Sequence, residues 1–126
     1  MYGIKKEVDL SYEEAVEKIR EELKKEGFGV LTEIDVKATL KKKMDVDFDK
    51  YLILGACNPQ FAYKALQAEQ DIGLLMPCNV IVYEKKGKTF AAAIKPTVQM
   101  QKIGNPQVET IAKQVEEKLK SVIDSI

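Results

Sequence analysis

The chain has 126 residues and a mass of 14.2 kDa, the size of one domain. Its 45% hydrophobic and 32% charged residues give the balance of a chain that folds on a buried core without metal or disulfide staples. Twenty basic residues cancel twenty acidic ones, so there is no excess positive field to gather nucleic acid or anionic lipid. Histidine is absent, which excludes Ser-His-Asp and Cys-His catalysis, HExxH zinc sites and haem on a proximal His.

Only Arg20 among the cations is Arg, so the planar fork used for bidentate phosphate or base contacts is nearly missing. The start, MYGIKKEVDL, shows no apolar signal region. The longest uncharged run, Tyr51 to Tyr63, is 13 residues against the roughly 20 that a membrane span needs. A cytoplasmic protein with no nucleic-acid and no membrane partner is expected. Cys57 and Cys78 have 20 residues between them, too far apart for a CxxC motif, and they are expected to stay reduced.

Tyr2 to Val8 alternates β-forming residues and reads as a first strand. Ser11 followed by Glu14 is a capping box. It opens a helix whose apolar face is Ala15, Val16, Ile19 and Leu23 and which stops at Gly27, with Phe28 folding back onto Leu23. Gly29 to Asp35 is a second strand, and Val36 to Met44 a Lys-rich helical turn or loop. Tyr51 to Cys57 (YLILGAC) is a continuous apolar run of strand length, in which Gly55 and Ala56 permit close backbone approach.

Asn58-Pro59 opens a helix through an Asn cap and a Pro at the next position. Its stripe is Phe61, Ala62, Ala65 and Leu66, and its end falls near Asp71-Ile72-Gly73. Cys78 to Glu84 and Thr89 to Ile94 form a hairpin around Lys85-Lys86-Gly87-Lys88. Pro96 ends the last strand, and Asn105-Pro106 starts a terminal helix of about five turns with the stripe Val108, Ile111, Ala112, Val115, Leu119 and Val122. Together these elements predict a single domain over residues 1–126. Its fold class is α+β: a two-layer sandwich with a mixed, mainly antiparallel sheet of about five strands and helices mainly on one face.

One recurrence could carry chemistry. Cys57-Asn58-Pro59 ends one buried strand and Pro77-Cys78-Asn79 starts another, so thiols and amides converge if the strands are neighbours. A thiolate at a helix N-terminus would be a nucleophile, a soft metal ligand or a redox sensor. The competing reading makes each Cys a small buried hydrophobe and each Asn a cap or turn. Asp45, Asp47 and Asp49 alternate like a calcium loop, but Lys50 and Ala56 stand where that loop needs Gly and Glu, so the reading is rejected. Gly27-Phe28-Gly29 lacks the strand before it and the helix after it that a dinucleotide loop requires. Lys41-Lys42-Lys43 is read as a solvated face.

The segments DFDKYLILGACNPQFAYKAL and IGLLMPCNVIVYE, a late KPT and the helix NPQVETIAKQVEEKLKSVI together resemble the bacterial and archaeal family named domain of unknown function 302. The resemblance spans nearly the whole chain and is carried most specifically by GACNP and LMPCNV. It implies a compact α+β domain with a mixed sheet that forms homodimers, without an established reaction. The leading expectation is a homodimeric binding module whose pocket at Cys57, Asn58, Pro59, Pro77, Cys78 and Asn79 holds a small ligand or a soft metal. The alternatives are a thiol enzyme or redox sensor using Cys57, and a structural interaction domain. The Ala91-Ala92-Ala93 strand is a candidate for close approach of a second copy.

Overall fold

Local signals set the first helix. Ser11 Oγ accepts from the Glu14 backbone N–H at 3.1 Å while Glu14 Oε1 accepts from the Ser11 N–H at 3.0 Å, closing the expected capping box at the start of α1 (Tyr12–Lys25). At its other end Gly27 takes a left-handed φ of 86°. The Phe28 and Gly27 N–H groups donate to the carbonyls of Leu23 and Lys24 at 2.9 and 3.0 Å, the paired bonds of a Schellman terminus, and Phe28 is buried.

The computed structural model describes residues 1–126. The strands are β1 (Gly3–Val8), β2 (Gly29–Asp35), β3 (Tyr51–Cys57), β4 (Cys78–Lys85) and β5 (Lys88–Ile94), in the spatial order β1-β5-β4-β3-β2. Every pairing is antiparallel, so the α+β sandwich is as expected but its sheet has no parallel pair. The reason lies in α3 (Pro59–Ala68). A helix laid back along the sheet would have returned the chain parallel to β3. Instead α3 and the 3₁₀ turn Gln70–Leu75 stay at the end of the sheet against α5 (Pro106–Asp124), and β4 sets off antiparallel. β4 and β5 are joined by Lys86-Gly87, both with positive φ, as the tight hairpin turn demands.

Alternation in the strands divides the sheet into two faces. Val8, Leu52, Leu54, Ala56, Val80, Val82, Ala91 and Ala93 are buried in one cluster with Ala15, Ile19 and Leu23 of α1 and Val115, Leu119, Val122 and Ile123 of α5. A smaller cluster, Ala65, Ile72, Met100, Val108 and Ala112, lies where α3 and α5 meet. Ala91 and Ala93 are therefore spent on the approach of the protein's own helices, and only Ala92 is left on the opposite face of the sheet. Their strand sits inside the sheet between β1 and β4.

α2 (Val36–Met44) is a helix, capped by Asp35 Oδ1 accepting from the Ala38 N–H at 2.9 Å, although none of its residues is buried. Lys41 pairs with Asp45 at 2.9 Å and Asp47 at 3.5 Å, ion pairs of an exposed surface. A four-residue helix, α4 (Pro96–Gln99), follows the last strand. No helix is long and apolar enough to cross a membrane.

Candidate functional site

Cys57 closes β3, and Cys78 opens β4 one register position away, opposite Ala56. With Asn58 and Pro77 they line a cavity of about 40 Å³ whose other walls include Phe28, Met76, Met100 and Val115. It lies at the seam between the two hydrophobic clusters, and four of its walls are Ala56, Ala62, Ala65 and Ala112. Alanines meeting across a seam leave space that no side chain reaches into.

Asn58 occupies the cap position of α3 but its side chain caps nothing. Its Nδ2 donates instead to the Glu26 carbonyl at 3.1 Å, tying the end of α1 to the start of α3. Asn105 does both jobs: Oδ1 accepts from the Gln107 and Val108 N–H groups at 3.0 and 3.4 Å, and Nδ2 donates to the Ala68 carbonyl at 3.0 Å. Pro59 and Asn79 are exposed and do not line the cavity. Asn79 is paired opposite Gly55 on the far face of the sheet, as alternation requires once Cys78 faces the helices.

Burial pushes the Cys57 thiol above its ordinary value. Cys78 is pushed up to about 11, first by burial and then by the neighbouring charge that Cys57 would carry. Burial thus outweighs the helix end, and both sulfurs hold their protons at neutral pH. An unfolded thiol ionises near roughly 8.5, so between there and about 11 the folded chain binds more protons through Cys78. Stability should then fall as pH rises through this window. Chemical unfolding from pH 8 upward should show a loss in the wild type that is shallower, by about 3 kcal/mol at its alkaline end, in Cys78→Ala; parallel curves for the two proteins would refute the burial.

Gly55 explains the close approach anticipated in β3. A Cβ there would land on Thr32 Oγ1 and lie 2.7 Å from Pro77 Cγ. Gly55→Ala is expected to cost about 1–3 kcal/mol, the range for overpacking. Thr32→Ala in the same chain should restore part of it, which a double-mutant cycle in urea measures; additive losses would show that Thr32 is not the obstacle.

Met76 and Met100 join the two cysteines in the cavity wall. Sequence reasoning missed both, since thioethers follow no motif, although Met76 adjoins the Pro77-Cys78 step.

An antiparallel five-stranded sheet with its long helices on one face, and a small thiol-lined cavity at one end, defines a small α+β sandwich built around two Cys-Asn steps. The family model Domain of unknown function DUF302 matches residues 4–126, and the chain belongs to that family. It is similar to the crystal structure of uncharacterized conserved protein DUF302 from Bacillus stearothermophilus, at 33% identity over 99% of this chain and 98% of that chain, with a TM-score of 0.93. No curated protein matches the chain.

Proposed function

We propose that the protein is a cytoplasmic homodimeric binding module whose cavity at Cys57, Asn58, Pro77 and Cys78 takes a small ligand or a soft metal ion. The observation that carries this reading is the convergence of both cysteines, from different strands, on one apolar cavity. Half-buried thiols with raised pKa are poor nucleophiles, so the geometry favours binding over a thiol reaction at Cys57.

The dimer is supported by the sheet face turned away from α1 and α5. Register places Ile34, Ile53, Ile81 and Ala92 in one row across four strands, and Tyr51, Tyr83 and Phe90 in the next. An antiparallel sheet that met only water would carry polar residues there. Tyr51 stacks on Tyr83 and Tyr83 on Phe90, each pair at 5.2 Å between ring centres, and Lys5 Nζ lies 4.8 Å from the Phe90 ring centre. Ile34 is still 47% and Phe48 43% exposed. Lys5, Asp49, Glu84 and Lys85 border this face, and such alternating charges allow a two-fold axis to set each sign against its opposite.

Native mass spectrometry of the purified chain tests both parts. A mass of twice 14.2 kDa, with additional bound mass lost after alkylation of Cys57, is expected. A bare monomer with both thiols free would overturn the reading.

A further inference from the structure

Resting on that binding reading, we infer that the occupant is a single monovalent soft cation, Cu(I), held by the sulfurs of Cys57, Cys78, Met76 and Met100. All four residues line the same cavity, and apart from them its wall includes one polar side chain, Asn58. Asn58 Nδ2 donates to the Glu26 carbonyl, and its amide oxygen is a hard donor that suits calcium, magnesium or manganese rather than a soft cation.

Size speaks first. At about 40 Å³ the cavity is far below the roughly 300–1,000 Å³ of sites for organic ligands, yet ample for an ion. The donor set speaks next. Calcium and magnesium need oxygen ligands, and no group of three or more Cys, Asp or Glu side chains able to hold a metal exists in the fold. Structural zinc wants four Cys, His or carboxylate ligands and iron–sulfur clusters want four thiolates, whereas this wall offers two thiols. Thiolate and thioether sulfur together select Cu(I).

Charge completes the choice. The walls are almost wholly apolar, and an uncompensated charge there is costly. When Cu(I) enters, the Cys57 S–H bond breaks, its proton passes to solvent and a Cu–S bond forms, with no change of oxidation state. One cation and one thiolate leave the site neutral, with Cys78 and the two thioethers as uncharged donors. A divalent ion would need both thiols ionised for the same balance. Cys78 packs against the main hydrophobic cluster and Cys57 does not, which makes Cys57 the one to give up its proton.

The test is an anaerobic titration of the full chain with Cu(I), in competition with a chromophoric Cu(I) chelator. One Cu(I) per chain is expected, with a sulfur-only shell by copper X-ray absorption and close to one proton released. Changes in residues that merely support a metal's ligands cost about 10–100-fold in affinity. Cys57→Ser should therefore weaken binding by more than tenfold, and the double variant Met76→Leu, Met100→Leu by at least about tenfold. The Leu variants keep volume and cost little stability, so they remain informative if a serine variant fails to fold. Affinity unmoved by the Leu pair, or oxygen and nitrogen in the shell, would overturn the inference. If the wild type takes no Cu(I) but its native mass includes another molecule released on Cys57 alkylation, the metal falls and the binding module stands. With neither, both fall.

Discussion

Leu54→Ala is expected to destabilise the fold by about 3–4 kcal/mol, lowering the melting temperature by roughly 10 °C for a chain of this length. Leu54 has no exposed surface and is paired with Val80 of β4 and Glu33 of β2, so it sits under the helices with strands on both sides. Its cluster includes Ala56, Ala91 and Ala93. These small neighbours have no reach with which to collapse into the space a removed isobutyl group leaves, and the cavity penalty adds to the lost transfer energy in full. Leu31, in β2 but 66% exposed, is the internal control: Leu31→Ala should change stability by no more than about 0.5 kcal/mol. Thermal melts of the two variants decide the matter, and a loss at Leu54 no greater than that at Leu31 would mean that the core is misassigned.

Local chemistry made much of this fold legible in the sequence. Ser11 with Glu14, Gly27 with Phe28, and Asn105 with Pro106 act within a few residues of themselves, and each forms the terminus that its residue types prescribe. α2 was harder to read because a helix that buries nothing shows no apolar stripe; only the Asp35 cap marks it. α4 and the 3₁₀ turn Gln70–Leu75 owe their form to the α3–α5 seam, and the wholly antiparallel pairing follows from where α3 docks. Neither is a local property. Convergence of Cys57 and Cys78 could be read because strand ends repeat the Cys-Asn step, and strand alternation alone would have separated Asn79 from Cys78. Met100 reaches the cavity through a tertiary fold of the chain after Pro96, which nothing near Met100 encodes. Asn58 looked like a cap and is a clamp, since the carbonyl of Glu26 lies within its reach and competes with its own helix for the amide.

Ile81→Lys is expected to convert the proposed dimer to a monomer without unfolding it. Ile81 stands in β4, the middle strand of the sheet, between Ile53 and Ala92 in the apolar row of the face turned away from α1 and α5. In a two-fold dimer each substitution is made twice. Losing two buried isoleucines at about 2–3 kcal/mol each corresponds to weaker association by roughly three to four decades. Within one protomer the change is mild: the lysine stem lies along the sheet, its ammonium reaches water, and only a modest loss of strand propensity remains. Light scattering at micromolar concentration should therefore give 14.2 kDa for the variant and twice that for the wild type, with matching circular dichroism. If Ile81→Lys stays dimeric, the partner sits on another surface; if the wild type is monomeric at every concentration, the apolar rows serve some purpose other than self-association. Salt dependence separates the two contributions to the interface. A contact driven by the isoleucine and aromatic rows should hold or strengthen as salt rises, whereas one driven by Lys5, Asp49, Glu84 and Lys85 at the border should weaken as their attraction is screened.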